Sequence, residues 1–493
     1  DMSQNVLKDE ILSDIETEKN NFKISDTTAS LRNIEVDTDL YHAVFTTSGA
    51  RLLSFQLKKY NSTSDPDSPV VQLYSEDLLN YSTLRTSGTE SLYIPEDVVF
   101  SSDSEQIISL SGNKSKSLIF RAELPSGLQI RKIFTFNGNT YTLDSQIEII
   151  NKSSSLMRGT IDYALIKRWD KEKDKDPYSF TGPATLVNEK LEEVSVDDLE
   201  ESPVSYGVEA KWTSFQTKYF LSVIVPQDES VKRIRILAEG DQVENIVESP
   251  HFELAAGQKR LLEYLLYIGP KDFELLKSSG HQLERAVDFG FFGVLSKPLF
   301  HVLVFFYGFL NNYGLAIIVL TVIIKLLFWP LTHKSYASMK AMQKLQPEMQ
   351  KIRERFKDDK ERLNRELMEL YKKHRVNPLG GCLPMLVQIP VFFALYKVLL
   401  GSIALRHAPF VWWLTDLSAK DPYYITPLLM GVSMFVQQKM TPTTADPMQA
   451  RIFMMMPIIF TFMFLNFPSG LVIYWLVNNL LTIVQQFYIH KKA

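Results

Sequence analysis

The feature that most constrains the fold is a series of apolar runs in the C-terminal part of the chain, separated by short polar or charged segments. A helix needs roughly 20 apolar residues to cross the core of a bilayer, and these runs approach that length. Helices are favoured there because an unpaired backbone group is costly in hydrocarbon. We therefore predict five membrane spans, at about 313–331, 382–400, 424–440, 452–467 and 471–489.

The distribution of basic residues predicts how these spans are oriented across the membrane. Lys and Arg crowd the segment between the first and second predicted spans, whereas the next segment contains only Arg406 and Lys420. Cytoplasmic segments carry the excess of basic residues, so the first segment is predicted to be cytoplasmic. Alternation of the spans then places the N-terminal region and Trp412-Trp413 on the outer side, and Lys491-Lys492 in the cytoplasm.

The region before the spans has a different pattern. Apolar and polar residues alternate with period two, which is typical of half-buried strands, and turn residues separate the runs, as at Ser48-Gly49 and Asn137-Gly138-Asn139. Many short strands without alternating helices predict an antiparallel β-sandwich over residues 34–280. A flexible polar tether is predicted at 1–33. The predicted strands lie at 41–47, 52–58, 130–136, 140–149, 161–167, 219–225, 232–237 and 261–267.

Residues 281–312 connect the two regions. The apolar stretch at 289–310 is interrupted by Lys297-Pro298, and neither apolar half is long enough to cross a bilayer. We predict an amphipathic helix that lies in the membrane interface and leads into the first span.

The basic segment at 335–375 is predicted to form a cytoplasmic helical hairpin, because it carries two apolar stripes at helical spacing. Pro347 should kink or interrupt its first helix, and Asp358 and Asp359 are suited to begin the second. A self-packed, solvated hairpin and a mobile arm that meets a nascent chain or the ribosome are both compatible with this pattern.

Lys325 is the most informative single residue, because it lies inside the apolar run of the first predicted span. A charge at membrane depth costs at least ~2.5 kcal/mol, so such a lysine either faces water at a functional site or extends to the interface. At a rise of about 1.5 Å per residue, Gln388 and Asn478 fall at a similar depth in other spans. We predict a hydrated groove, open to the cytoplasm and closed to the outside, since buried polar groups need water or partners. The alternative is that these amides only hold helices together.

Composition and motifs exclude several classes of function. The net charge of −4 provides no basic field for DNA. The single cysteine, Cys382, cannot form an intramolecular disulfide or a Cys-based metal cluster, and the eight histidines show no zinc-binding spacing. Nucleophile-elbow and phosphate-loop motifs are also absent from the sequence. We expect no enzymatic activity, no cofactor, no metal and no DNA partner.

The chain begins with Asp1 and not with a charged and apolar leader. An outer β domain must nevertheless be exported. Either a membrane span precedes Asp1 in a longer protein, or the first downstream span directs export, and we favour the upstream span.

Several motifs in the membrane region occur in an order that closely resembles the YidC family of membrane protein insertases, in its Gram-negative form with a large periplasmic domain. The resemblance covers about 290–489 and, more weakly, the β region, where Lys211-Trp212 and Lys218-Tyr219-Phe220 are its clearest part. The motifs are Asn377-Pro378-Leu379-Gly380-Gly381-Cys382-Leu383-Pro384, Gln388-Ile389-Pro390, Asp421-Pro422-Tyr423-Tyr424, Gln438-Lys439-Met440, Asp446-Pro447-Met448-Gln449 and Phe467-Pro468-Ser469-Gly470-Leu471.

This resemblance implies an inner-membrane protein that inserts and folds nascent membrane proteins through a groove open to the cytoplasm and the lipid bilayer, alone or with the Sec translocon. It also implies a periplasmic β-supersandwich, contacts with SecYEG and SecDF, and ribosome association. The positive groove residue of the family is usually arginine, and Lys325 stands at that position. Thr321, Tyr474 and Trp475 match other positions of the family's groove and substrate-contact surface.

Two rival classes stay open at this point. A small-solute transporter or channel would have a pore closed on its lipid side. A sugar-binding or sugar-processing domain on a membrane anchor would need clustered carboxylates and histidines in a cleft of the β domain, and the sequence shows no persuasive cluster.

Overall fold

The structure is a computed structural model that describes residues 31–75, 80–172, 174–176, 179–227, 231–374, 383–440 and 447–492. Most of the predicted tether, 1–33, lies outside the described residues. A β-rich domain is followed by a region of helices, which is the predicted fold class.

The β domain consists of twenty described strands. They are β1 Asn33–Asp37, β2 Tyr41–Thr46, β3 Arg51–Asn61, β4 Val70–Tyr74, β5 Arg85–Gly88, β6 Ile107–Ser109, β7 Ser115–Glu123, β8 Leu128–Asn137, β9 Thr142–Asn151, β10 Met157–Gly159, β11 Ile161–Arg168, β12 Gly182–Val187, β13 Lys190–Glu193, β14 Val204–Tyr206, β15 Ala210–Gln216, β16 Phe220–Pro226, β17 Arg233–Glu239, β18 Gln242–Glu248, β19 Phe252–Leu254 and β20 Lys259–Pro270.

Three larger sheets and one two-stranded ribbon make up the domain. The largest has eight strands in the order β13-β12-β15-β16-β20-β9-β8-β7, and the two five-stranded sheets run β4-β3-β2-β1-β6 and β14-β17-β18-β11-β5. Within the described residues, all neighbouring strands pair antiparallel except β1 and β6. Large side chains such as Trp212, Tyr41 and Phe134 are fully buried in the apolar core.

The strand predictions are confirmed with small changes at the ends. Each predicted run corresponds to an observed strand, and Gly49 takes a φ of 66° at the predicted turn between β2 and β3. The strand β1 begins at Asn33, one residue before the predicted start of the domain. β20 is the longest strand, and it extends beyond the predicted run on both sides because its residues pair with β16 and β9.

The helices begin within the β domain and dominate after it. They are α1 Val196–Leu199, α2 Phe273–Ser278, α3 Gly293–Leu310, α4 Tyr313–Lys344, α5 Gln346–Arg355, α6 Lys360–Lys373, α7 Leu383–Gly401, α8 Ile425–Met440, α9 Pro447–Phe464 and α10 Ser469–Lys492.

Three described helices are long and apolar enough to cross a membrane: α3, α4 and, over Ser469–Ile489, α10. Shorter apolar helices occur at Leu386–Gly401 and Met454–Phe464. The number of spans therefore stays a prediction.

Two helices differ from the sequence-based expectation. α3 runs without interruption from Gly293 to Leu310, so the two apolar halves that flank Lys297-Pro298 form one helix with Pro298 inside it. α4 runs on for a full 32 residues, well past the predicted end of the first span at 331. It therefore includes the beginning of the predicted hairpin at 335–375, and it continues through Pro330.

The hairpin signals act as predicted. α4 ends at Lys344, and Pro347 lies in the first turn of α5. Asp359, preceded by Asp358, caps α6 by accepting a hydrogen bond from the backbone amide of Arg362 at 2.9 Å. The hairpin is self-packed through a small apolar cluster that includes Met349 and Leu370.

The β domain is attached to the segment between α7 and α8. Ile403 packs in the apolar core of the β domain, whereas Leu405 packs among the helices. The guanidinium of Arg406 donates to the backbone oxygen of Asn61 at 2.6 Å and lies 5.5 Å from the Phe220 ring.

Gly431 allows α8 and α9 to pack closely. A Cβ atom at this position would lie 2.0 Å from Oγ1 of Thr461, and that hydroxyl donates to the Pro457 oxygen at 2.7 Å. At this contact the two helices are so close that position 431 of α8 has room for a hydrogen atom but not for a methyl group.

We predict that Gly431→Ala lowers the free energy of unfolding by about 1–3 kcal/mol, because the added methyl group forces α8 and α9 apart. Thermal unfolding in detergent measures this loss. In the Thr461→Ala background the obstructing hydroxyl is gone, so the same substitution should cost much less. Equal costs in the two backgrounds would contradict the proposed contact.

Candidate functional site

Lys325 points into a contact between helices and not toward lipid. Its side chain on α4 is 8% exposed, and its Nζ donates a hydrogen bond to Oγ1 of Thr482 on α10 at 2.6 Å. Thr482 in turn donates to the backbone oxygen of Asn478 at 2.7 Å. The amine is thus held inside the helical bundle by a chain of two hydrogen bonds.

A pocket of about 20 Å³ lies beside this amine, between α4, α7 and α10. Gln388 and Asn478 line it together with Lys325, so the structure brings together three of the predicted site residues. A cavity needs about 10–15 Å³ to hold one water molecule, and this pocket has room for about one. The site is therefore a small pocket with mostly apolar walls, into which a few polar side chains project.

The pocket combines polar groups with apolar walls. Thr332 adds a hydroxyl, while Phe328, Val387 and Val391 supply apolar surface. Among the described residues no carboxylate lines the pocket, so the charge of Lys325 has no counter-ion there.

The other predicted site residues lie nearby but outside the pocket lining. Thr321 is buried one turn from Lys325, and its hydroxyl donates to the Ile317 oxygen at 2.6 Å. Tyr474 is buried among apolar side chains, and its hydroxyl is in hydrogen-bonding contact with Gln388. The Trp475 ring packs edge-on against Phe392, at 4.7 Å between ring centroids.

Further polar pairs join the helices at the same level. Gln485 donates to the Thr332 hydroxyl at 2.7 Å, and Asn479 donates to the Ser433 hydroxyl at 3.2 Å. These pairs link α10 to α4 and to α8, which is the helix-joining role considered as the alternative for such amides.

The sequence-based reasoning missed Thr482, although a signal was present. Asn478, Thr482 and Gln485 follow one another at spacings of four and three residues along α10, so they share one helical face. A search for polar as well as apolar periodicity would have found it.

On the side away from the hairpin, the helices pack through buried apolar side chains. Ile317 and Leu320 of α4, Leu395 and Leu399 of α7, and Val472 of α10 are all buried in one apolar cluster. The polar pocket therefore ends against packed hydrocarbon in the direction of the β domain.

The predicted hairpin residues lie elsewhere. Pro347, Asp358 and Asp359 shape the ends of α5 and α6, and none of them lines the pocket.

Comparison with known proteins covers nearly the whole chain. A family model described as "YidC periplasmic domain" matches residues 33–302, and one described as "60Kd inner membrane protein" matches 305–493. A membrane protein insertase YidC from Citrifermentans bemidjiense is 47% identical over 464 residues, covering 94% of this chain and 86% of the relative. One from Geotalea uraniireducens is 48% identical over 463 residues, covering 94% and 87%.

Solved structures show more distant similarity. An active YidC insertase crystal structure is 18% identical and covers 94% of each chain, with a TM-score of 0.39. A crystal structure of YidC from Thermotoga maritima is 17% identical and covers 92% of this chain and 99% of that one, with a TM-score of 0.31.

We predict that Thr482→Val destabilises the protein by about 1–3 kcal/mol, because the Lys325 amine loses its buried acceptor. Thermal unfolding in detergent measures the change, and Thr482→Ser, which keeps the hydroxyl, serves as the matched control. In a Lys325→Met background there is no amine left to pair, so Thr482→Val should then be nearly neutral. A loss that persists in that background would show that the hydroxyl serves another partner.

Proposed function

The chain belongs to the YidC family of membrane protein insertases, and we propose that it inserts and folds nascent inner-membrane proteins by receiving their polar segments at the pocket around Lys325. The observation that carries this proposal is the position of that amine. It is buried between three helices, beside polar side chains and with no carboxylate among the described residues of the pocket.

The chemistry of the pocket suits a polar segment that must enter a membrane. Taking an unpaired polar group from water into an apolar medium costs several kcal/mol. Hydrogen-bonding groups at Lys325, Gln388 and Asn478 would lower that cost for part of the crossing. The uncompensated positive charge would favour segments that carry acidic residues.

The one-sided arrangement supports insertion rather than conduction. The pocket ends against the apolar cluster around Leu320 and Leu399, so the described residues form no continuous polar path along the helices there. A substrate would rest at the pocket and move sideways into lipid, whereas a solute channel would need the polar path to continue.

Lysine in place of the family's usual arginine changes the kind of contact. A guanidinium can hold a carboxylate with two parallel hydrogen bonds, whereas an ammonium acts as a compact charge. We therefore propose that Lys325 attracts acidic substrate residues by charge and leaves their orientation to Gln388, Asn478 and Thr482.

The wider setting follows the family. We propose that the protein spans the bacterial inner membrane five times, with the β domain in the periplasm and the C-terminus in the cytoplasm. The proposed partners are SecYEG, SecDF and the ribosome. The basic hairpin formed by α5 and α6 would face the cytoplasm, where its charge suits ribosomal RNA or anionic lipid.

A photocrosslinker placed on α7 tests contact with substrate. Because Tyr474 is buried and Trp475 is packed among aromatic rings, Val387, which lines the pocket, is the better position. We predict strong crosslinks from position 387 to a stalled nascent membrane protein. Position 389 is the control, since Ile389 lies on the same helix, is 41% exposed and does not line the pocket. Equal crosslinking from both positions would argue against substrate binding in the pocket.

The charge at 325 should matter more than its exact shape. We predict that Lys325→Arg supports growth of a strain depleted of its own insertase, and that Lys325→Glu does not. The defect should be greatest for substrates with acidic translocated tails, because like charges repel at short range. Immunoblotting of the membranes is the control that checks whether the two variants are present in equal amounts. Equal growth of both would remove the charge of Lys325 from the mechanism.

A further inference from the structure

A second cavity, of about 70 Å³, lies where the β domain meets the N-terminal half of α3 and the C-terminal end of α7. This is several times the ~10–15 Å³ that one water molecule needs, so a small polar group fits. One wall is formed by Phe273, Phe289 and Phe300, whose rings make edge contacts with centroids 5.2 to 6.0 Å apart. The cavity is thus partly aromatic.

Three lysines line the same cavity: Lys218, Lys271 and Lys397. The backbone amide of Lys271 donates to the Tyr219 oxygen at 2.7 Å, which places Lys271 beside the turn that carries Lys218. Lys397 reaches the cavity from the last part of α7. Two different regions of the fold therefore direct amines to one place.

Two of the nearby carboxylates already have partners. Asp288 forms an ion pair with Lys397 at 2.5 Å and accepts from the Gly290 amide at 2.6 Å. Asp272 caps α2, because its Oδ1 accepts from the amides of Glu274 and Leu275, each at 3.0 Å.

Of the carboxylates that line the cavity, Glu193 is left to neutralise the charges of Lys218 and Lys271. Among the described residues, the amines of Lys218 and Lys271 form no ion pair or hydrogen bond, although Lys218 Nζ lies 5.0 Å from the centroid of the Tyr219 ring. Burial lowers the pKa of Lys271 to about 8, while the nearby Glu193 and Asp288 oppose that shift. Lys271 is therefore still mostly protonated at pH 7, and an enclosed cation without a close counter-ion is unfavourable.

We propose that this cavity binds the phosphate group of a glycerophospholipid, with Lys218 and Lys271 holding the phosphate and the acyl chains lying along α3. The surface next to the cavity suits such chains, since Phe291 and Val294 are 96% and 87% exposed. Phospholipids present phosphate at the level of the helix ends, where basic residues attract it. This inference does not depend on the proposed insertase function.

Lipid binding by the full-length protein tests the proposal. After delipidation in detergent, native mass spectrometry measures binding of phosphatidylglycerol and, separately, of inorganic phosphate. We expect the Lys218→Gln/Lys271→Gln variant to bind the lipid roughly tenfold more weakly, because each basic residue near a lipid phosphate contributes measurably. Lys114→Gln/Lys152→Gln is the matched control, since it removes the same charge from exposed residues that do not line the cavity.

A third variant acts in the opposite direction. Glu193→Gln removes the lining carboxylate that is left beside Lys218 and Lys271 once Asp272 and Asp288 are paired, so it should tighten lipid binding. If the double lysine variant fails to fold, this variant still tests whether the cavity binds the lipid. Equal affinity of both double variants, or no gain in Glu193→Gln, would overturn the proposal. Inorganic phosphate that occupies the site in the absence of any specific lipid binding would also overturn it, because the phosphate source would then be free phosphate.

Discussion

The organisation of the helical region depends on one constraint: the Lys325 amine lies in an apolar bundle and must have partners. Thr482 provides the acceptor, and its hydroxyl in turn donates a hydrogen bond to the backbone oxygen of Asn478. An unpaired amine at that depth would cost several kcal/mol. The polar face of α10 therefore has to meet α4 at this level, which fixes the rotation of both helices.

The same constraint divides the bundle along its length. Polar pairs such as Gln485 with Thr332 lie toward the hairpin, whereas Ile317, Leu320 and Leu399 form dry packing toward the β domain. A polar group that enters from the hairpin side meets partners first and hydrocarbon afterwards. In the proposed function, this arrangement would favour sideways release of a substrate into lipid over its passage along the helices.

Local patterns predicted most of the fold. Period-two alternation located the strands, and Pro347 and Asp359 marked helix ends, because these signals act over a few residues. Long-range packing could not be predicted from the sequence in the same way. Lys132 is fully buried in the β domain, where its Nζ donates to the Leu84 oxygen at 2.8 Å, and no neighbouring residue in the sequence indicates that contact. The sequence placed Lys325, Gln388 and Asn478 at one depth and predicted a hydrated groove there; the structure brings the three residues to one pocket, whose size depends on three-dimensional packing.

In the proposed function, the small size of the pocket limits how a substrate can enter. The pocket has room for about one water molecule, so an incoming segment would have to separate helices. α10 packs extensively on α4 and α8 but only slightly on α7. The α10 contacts with α4 and α8 also carry the hydrogen bonds of Lys325, Gln485 and Asn479, whereas Gln388 with Tyr474 is the polar link to α7 among the described residues. α7 packs only slightly on either α4 or α10, so widening the site by moving α7 away from both breaks the fewest of these interactions.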